Sequence, residues 1–329
     1  MLRSFGKRIP GDGNTAATSV AYQLSETSFI YPITPATTMG ELVDAWIAQG
    51  RKNIWGNKVH MAMMQSEGGA AAAVHGATAV GALCATFTAS QGALLMIPDM
   101  YKIIGEMCPA VFHISARCIA TSALSIYNDH GDIYACRATG MPILFSNGVQ
   151  EAHDLAAVAH LTTIHTGLPF IHTFDGFRTS HEINTYEELD NETLWPLIDQ
   201  KALAAFRARS LNPEHPSERG TICGPEYVWQ MHEKLRKPFQ ALPTEVEKMM
   251  KALGDKTGRY YKPYQYAGPR DPENVIIMMG SGCDPVEEYI TEHPEFKTGL
   301  IKVHLFRPFS VEMFNAAIPA SVKKICVLD

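Results

Sequence analysis

Ser28-Phe29-Ile30-Tyr31-Pro32-Ile33-Thr34-Pro35 decides the fold of this chain. The apolar run Ser28–Tyr31 reads as a strand. Pro32 and Pro35 stop it at once, because proline lacks the N–H that a central strand needs and restricts the residue before it. Thr38–Gln49 then reads as a helix, closed by Gly50 just beyond its end. A strand that turns straight into a helix is the repeating unit of a parallel sheet covered by helices. Outward from this stretch the alternation continues, with strands expected at Ala82–Thr88, Val111–Ser115, Ile143–Ser146 and Pro169–Thr173. Asn147, with Gln150 three residues on, resembles a capping box. The helix it would open carries Ala152, Leu155, Val158, Ala159 and Thr162 along one face. Pro98 marks where the helix after Gly92 starts or kinks. The Ala-rich Gly68–Ala73 reads as a tightly packed helix whose small side chains admit a close neighbour.

The texture changes after His181. Glu182–Pro243 is richer in Glu, Asp, Asn and Pro and reads as an elaborate connection containing helices. Within it, Asn212-Pro213-Glu214-His215-Pro216 is neither regular helix nor central strand. A second α/β pattern follows: strand Val275–Met279, the turn Gly280-Ser281-Gly282 and a helix from Pro285. Strand Gly299–Leu305, a helix over Val311–Ala317 and strand Lys324–Leu328 complete it. A parallel sheet seldom ends on an uncovered strand, so the sequence reads as truncated. One large domain is expected over residues 1–260, with 182–260 as connection, and part of another over 261–329.

Composition removes several functional classes. No apolar run reaches the ~20 residues that span a bilayer. The net charge is −6 and the basic residues are scattered, which argues against a nucleic-acid surface. The seven cysteines are too far apart for iron–sulfur or zinc spacing. Contexts such as Leu83-Cys84-Ala85 and Ile325-Cys326-Val327 make them small hydrophobes, and their odd number suits a reducing compartment. Met1-Leu2-Arg3-Ser4-Phe5 is short, basic and free of acids, as a targeting stub or an untargeted start would be.

Four places could carry chemistry. Thr34 presents a hydroxyl from a rigid position just beyond a strand, where open α/β sheets bind ligands, though it would serve equally as a cap in a stiff turn. Glu67, in Gln65-Ser66-Glu67-Gly68-Gly69-Ala70, is an acid at the mouth of a helix too small to shield it. The helix dipole favours its charge and burial would favour its proton; a plain first-turn capping Glu is the commoner case. Arg117 follows a strand and could clamp a carboxylate, although a structural ion pair is commoner. His130, in Asn128-Asp129-His130-Gly131-Asp132, either meets substrate or orders its loop. Gly11-Asp12-Gly13-Asn14 imitates a metal–diphosphate motif, but with no strand expected before it and no partner Asn at the required distance it reads as a turn and helix cap. Gly280-Ser281-Gly282 could cradle a phosphate, yet an ordinary tight turn fits better.

Several strings together resemble the pyruvate:ferredoxin (flavodoxin) oxidoreductase family over nearly the whole chain. They are Asp12-Gly13-Asn14-Thr15-Ala16, Tyr31–Pro35, Met64-Gln65-Ser66-Glu67 and Phe87-Thr88-Ala89-Ser90-Gln91-Gly92. Further on come Gln150-Glu151-Ala152-His153-Asp154, Leu305-Phe306-Arg307-Pro308-Phe309 and the most specific, Phe174-Asp175-Gly176-Phe177-Arg178-Thr179-Ser180-His181-Glu182. The resemblance implies an α/β parallel-sheet thiamine diphosphate-binding fold of the pyrimidine type, then part of a transketolase C-terminal-like α/β domain. It implies decarboxylation of pyruvate to acetyl-CoA and CO2, with electrons passing to ferredoxin. Glu67 would contact the pyrimidine N1′ and promote the imino tautomer, with Thr34, Pro32 and Ile33 lining the same cofactor site. Thr34 and Arg117 match pyruvate-binding positions, Arg117 facing the carboxylate. Only the pyrimidine half of thiamine diphosphate would bind here; Mg2+, [4Fe-4S] clusters and the coenzyme A site would belong to missing domains, in a homodimer. Met61-Ala62-Met63-Met64 departs from the family, which has Arg-Glu before the equivalent Met; the swap weakens a local ion pair and leaves the motif intact. The leader resembles hydrogenosomal presequences, with the cytoplasm as alternative. Competing expectations are a separate α subunit of a 2-oxoacid oxidoreductase and a non-catalytic scaffold of the sulfite reductase flavoprotein type. Retention of Thr34, Glu67 and Arg117 together argues against a scaffold.

Overall fold

The computed structural model describes residues 6–328; the leader Met1–Phe5, with its targeting expectation, lies outside the described residues. The chain begins with β1 (Arg8–Gly11), α1 (Gly13–Leu24), β2 (Thr27–Ile30), α2 (Thr37–Ala48), β3 (His60–Met63), α3 (Glu67–Ala79) and β4 (Cys84–Thr88). It continues through α4 (Ser90–Gly105), β5 (Ala110–Ala116), α5 (Gly131–Cys136), β6 (Ile143–Ser146), α6 (Val149–Thr166) and β7 (Phe170–Asp175). The connection holds α7 (Arg178–His181), β8 (Asn184–Glu187), α8 (Asn191–Leu194), α9 (Gln200–Ala208), α10 (Pro225–Glu233) and α11 (Arg236–Thr257). Last come β9 (Tyr264–Ala267), β10 (Asn274–Met278), α12 (Cys283–Glu292), β11 (Thr298–Val303), β12 (Leu305–Arg307), α13 (Val311–Ala317) and β13 (Lys324–Val327).

The main sheet has seven strands in the order β12-β6-β7-β5-β4-β2-β3, all parallel except the antiparallel edge β12. Every residue of β4, β5, β6 and β7 is buried, as expected of strands covered by helices on both faces. α1 and α11 lie against α6, and α3 lies against α4. A smaller sheet, β13-β10-β11-β9, has β9 antiparallel, and β1 pairs only with β8 in a separate ribbon. The expected α/β class and parallel sheet are therefore present. Gly50 (φ +76), Gly167 (φ +74) and Gly258 (φ +78) end their helices in the left-handed conformation that favours glycine.

Five expectations need correction. A strand, β1, does precede Gly11-Asp12-Gly13-Asn14, but it stands outside both parallel sheets; Asp12 caps α1 by accepting the Thr15 N–H at 2.7 Å. α6 opens at Gly148 without a capping box, and Glu151, not Gln150, reaches back to accept the Asn147 N–H. α4 begins at Ser90, so Pro98 sits inside it. The run expected as one strand over Gly299–Leu305 divides at His304. Its first part joins the small sheet, while Leu305–Arg307 crosses to the edge of the main sheet beside β6. Cys326 is exposed on an edge strand instead of packing as a small hydrophobe.

Three histidines pair inside the core. His113 Nδ1 lies 3.0 Å from His172 Nδ1, and His113 Nε2 lies 3.0 Å from His160 Nε2. His172 Nε2 continues to Ser146 Oγ at 2.8 Å. Burial, then the neighbouring imidazoles, holds His113 well below the ordinary histidine range; burial lowers His160 and His172 to about 3. Unfolded, all three would titrate near 6.5. Below that pH the unfolded chain binds protons that the folded chain refuses, so stability falls as pH drops from about 6.5 toward 3, by up to ~1.4 kcal/mol per pH unit for each imidazole. His153, also buried and lowered, adds to the three, while His130, whose pKa is raised, and Asp132, raised to about 6, work the other way. The urea midpoint is expected to fall clearly between pH 7 and pH 5, before most carboxylates titrate; a flat midpoint there would exclude this account.

Candidate active site

Because the strands of the main sheet run parallel, their carboxyl ends share one edge, where open α/β sheets bind ligands. β2 delivers Tyr31–Pro35 to that edge, β3 delivers Glu67 at the start of α3, and β4 delivers Ser90 and Gln91. β5 delivers Arg117 and β7 delivers Asp175 and Gly176. Asn14 ties two of these ends together: its amide donates to the Pro35 carbonyl at 2.8 Å, and its Oδ1 accepts from Ser115 Oγ at 2.9 Å. Gly176 is required for its close approach, since a Cβ there would lie 2.5 Å from the Ala116 carbonyl oxygen and 2.8 Å from Pro35 Cγ.

Arg117 is buried, and its surroundings fix it from several directions. Nη1 donates to the Thr34 carbonyl at 2.8 Å and Nη2 to Gln91 Oε1 at 3.0 Å. Its backbone N–H donates to Asp132 Oδ2 at 3.0 Å. Nε is buried without a partner, so a guanidinium with five N–H donors keeps capacity for an anion. Burial lowers the Arg117 pKa, opposed by the charges of Asp132, Cys118 and Glu67. Thr34 itself is exposed and contributes its carbonyl to Arg117.

Glu67 is 6% exposed and occupies the first turn of α3, whose N-cap Ser66 accepts the Gly69 N–H. Its carboxylate packs against Gly92. A Cβ on Gly92 would lie 2.9 Å from Glu67 Oε1 and 2.4 Å from Thr88 Oγ1, a buried hydroxyl with no partner. The glycine thus holds open a polar cradle at the junction of α3 and α4. The structure brings Thr34, Glu67 and Arg117 to one edge, together with Gln91, Ser90 and Asp132, to which sequence reasoning gave no role. Ser90 holds an uncommon left-handed backbone (φ +46) at the head of α4. It is secured by Asp132 Oδ2, which accepts its N–H at 2.8 Å. Ser90 Oγ lies 2.6 Å from Gln91 Oε1 and 2.7 Å from the Cys118 carbonyl, either of which can take its single proton. Burial pushes the Asp132 carboxyl up to about 6, against the Arg117, Ser90 and Ile133 N–H groups that stabilise its charge. A strained residue and a buried acid held at a strand edge are marks of a site. Their only sequence signal was membership of the Phe87–Gly92 and Asn128–Asp132 strings. A cavity of about 910 Å3 lies elsewhere, at the far end of α4, lined by Tyr101, Lys102, Arg209 and Arg219.

Residues 19–251 match the sequence model of a family described as pyruvate flavodoxin/ferredoxin oxidoreductase, thiamine diphosphate-binding. The chain belongs to that family. It is 54% identical over 321 residues to pyruvate:ferredoxin oxidoreductase of Moorella thermoacetica, covering 97% of this chain and 27% of that protein. It is 51% identical over 326 residues to pyruvate-flavodoxin oxidoreductase of Klebsiella pneumoniae, covering 98% of this chain and 28% of that protein. The chain thus spans little more than a quarter of the length of these curated relatives. A solved 2-oxoglutarate:ferredoxin oxidoreductase from Magnetococcus marinus superposes with a TM-score of 0.76 at 17% identity, over 98% of this chain and 58% of that one, which places the fold in the same class. In this thiamine diphosphate-binding family, the polar cradle at Glu67 and Gly92 fits a cofactor ring: it offers a buried carboxylate, an orphaned hydroxyl and space that a side chain would otherwise fill.

Proposed function

We propose that this chain supplies the pyrimidine and 2-oxoacid side of a thiamine diphosphate site in an enzyme that oxidatively decarboxylates pyruvate to acetyl-CoA and CO2 and passes electrons to ferredoxin. The observation that carries this reading is Glu67, buried at the head of α3 against Gly92, on the same sheet edge as Arg117. Glu67, Thr34, Pro32 and Ile33 would hold the ring of the cofactor. Thiamine diphosphate, when bound, supplies the nucleophilic carbon and the electron sink for loss of CO2. Glu67 holds and moves a proton at its Oε atoms. Arg117, steadied by Thr34, Gln91 and Asp132, orients the substrate carboxylate. The metal–diphosphate half, the [4Fe-4S] clusters and the coenzyme A site belong, in this reading, to further domains, and two copies work as a homodimer. The resemblance of the leader to hydrogenosomal presequences supports an organelle matrix, while the bacterial sources of the curated relatives favour the cytoplasm. No helix among the described residues is long and apolar enough to cross a membrane.

Calorimetric titration of the 329-residue chain with thiamine diphosphate and magnesium tests the half-site. Binding no tighter than about millimolar, or ~4 kcal/mol, is expected, since the diphosphate anchor is assigned outside these residues. Micromolar binding would mean that a second anion-binding element lies within them, and the division of the site proposed above would fail.

A further inference from the structure

Asp175 joins the main sheet to the small one. It ends β7 opposite Ala116, one residue before Arg117 on β5, and is 2% exposed. Its Oδ1 lies 2.7 Å from His130 Nε2. Its Oδ2 accepts the Ser281 N–H at 2.8 Å and the Ser281 hydroxyl at 2.6 Å. Gly280 (φ +78) passes so close that a Cβ would lie 2.8 Å from both carboxylate oxygens. The Gly280-Ser281-Gly282 turn, which by sequence could cradle a phosphate, is filled instead by a carboxylate from the same chain. Across the carboxylate, His130 packs its ring on Phe145 at 4.6 Å between centroids and remains partly open to solvent.

We propose that Asp175 is a positioning residue that fixes His130 beside Arg117 as a second donor for the substrate carboxylate, through the seating of the 280–282 turn. This rests on the reading that Arg117 binds a 2-oxoacid carboxylate. His130 and Asp132 are two residues apart, and Asp132 accepts the Arg117 backbone N–H, so the short segment that carries the imidazole is anchored to the strand end that carries Arg117. With Nε2 held by Asp175, Nδ1 is the nitrogen left to meet a ligand. Burial disfavours the charged ring, but the hydrogen bond and charge of Asp175, with Asp132 and Asp129 beyond it, outweigh burial and hold His130 above its ordinary value. From β6 the uncharged Phe145 faces the ring, and from the small sheet Ser281 reaches only Asp175. Asp175 itself is pulled below the usual carboxylate range: burial raises it, but His130 and Ser281 outweigh that.

In the enzyme assembled with its remaining domains, His130→Gln and Asp175→Asn are each expected to raise KM for pyruvate about tenfold at pH 7, the equivalent of one charged hydrogen bond, with kcat largely kept. The rise of KM with pH should vanish in His130→Gln and move to acid in Asp175→Asn. Ser281→Ala, which touches neither His130 nor substrate, should raise KM in the same direction by less. An NMR titration of the His130 ring in the 329-residue chain should move down with Asp175→Asn. An unchanged KM in His130→Gln, or a loss in Asp175→Asn that is uniform across pH with the His130 titration unmoved, would overturn the proposal. Arg117→Met separates the two readings. A raised KM there with a silent His130→Gln sinks only the role of His130, whereas silence in both sinks the reading of the site.

Discussion

Replacing Glu67 with Gln is expected to slow 2-oxoacid decarboxylation by about 10²–10⁴-fold, the range by which a positioned proton donor or acceptor acts. The substitution keeps size and shape while removing the ability to exchange a proton, so the cradle against Gly92 stays open. Folding should hardly change. A neutral side chain in the first turn of α3 forgoes a favourable dipole interaction of about 0.3–1 kcal/mol. The check is single-turnover decarboxylation in the enzyme complete with its diphosphate-binding domain, alongside a urea midpoint for the isolated chain. Activity within threefold of the parent would remove Glu67 from proton control, and a collapsed midpoint would show that the acid is structural.

The second large effect concerns stability. Asp154 on α6 is fully buried and accepts Arg259 Nε at 2.6 Å, Arg259 Nη2 at 2.9 Å and the Tyr261 hydroxyl at 2.7 Å. Arg259 also meets Glu187 at 2.7 Å, so one guanidinium ties α6, the β8 ribbon and the end of α11 together. Burial lowers the pKa of Arg259, but Asp154 outweighs that and holds it above the ordinary arginine range. Arg259→Met strands a buried carboxylate and is expected to cost about 3–5 kcal/mol, because removing one partner leaves the other charge uncompensated. Chemical denaturation reads this directly. The double variant Asp154→Leu/Arg259→Met should recover much of the loss, since the only carboxylate then left without Arg259 is the part-exposed Glu187 and no fully buried charge is unpaired. A loss below about 1 kcal/mol in the single variant would mean that water reaches Asp154 when the guanidinium is gone.

Much of the fold was legible because it is written in local terms. Two prolines after Ile30 can only end a strand, and Gly50 can only end a helix where φ turns positive. Fully buried strands such as Val111–Ser115 show as apolar runs despite carrying His113. The errors fell where a local signal had a distant competitor. The apolar run before Leu305 looks continuous, but His304 is held by the Lys262 carbonyl at 2.7 Å and by Glu151 at 3.3 Å, and there the chain changes sheets. The capping pair Asn147 and Gln150 failed because Glu151 reached Asn147 first, while Gln150 was drawn to Glu187.

The sequence by itself determined the α/β class, the strand–turn–helix units, the family strings and the candidates Thr34, Glu67 and Arg117. The tertiary structure alone decided what those residues touch. Gln91 and Asp132 steady Arg117, Gly92 makes room for Glu67, and a Gly-Ser-Gly turn that could pass for a phosphate loop is filled by Asp175 from 106 residues away. The physical reason is that capping, turn and strand preferences act between near neighbours in the chain. Burial, ion pairing and the filling of a cradle depend on distances that exist only once the sheet has brought its carboxyl ends together.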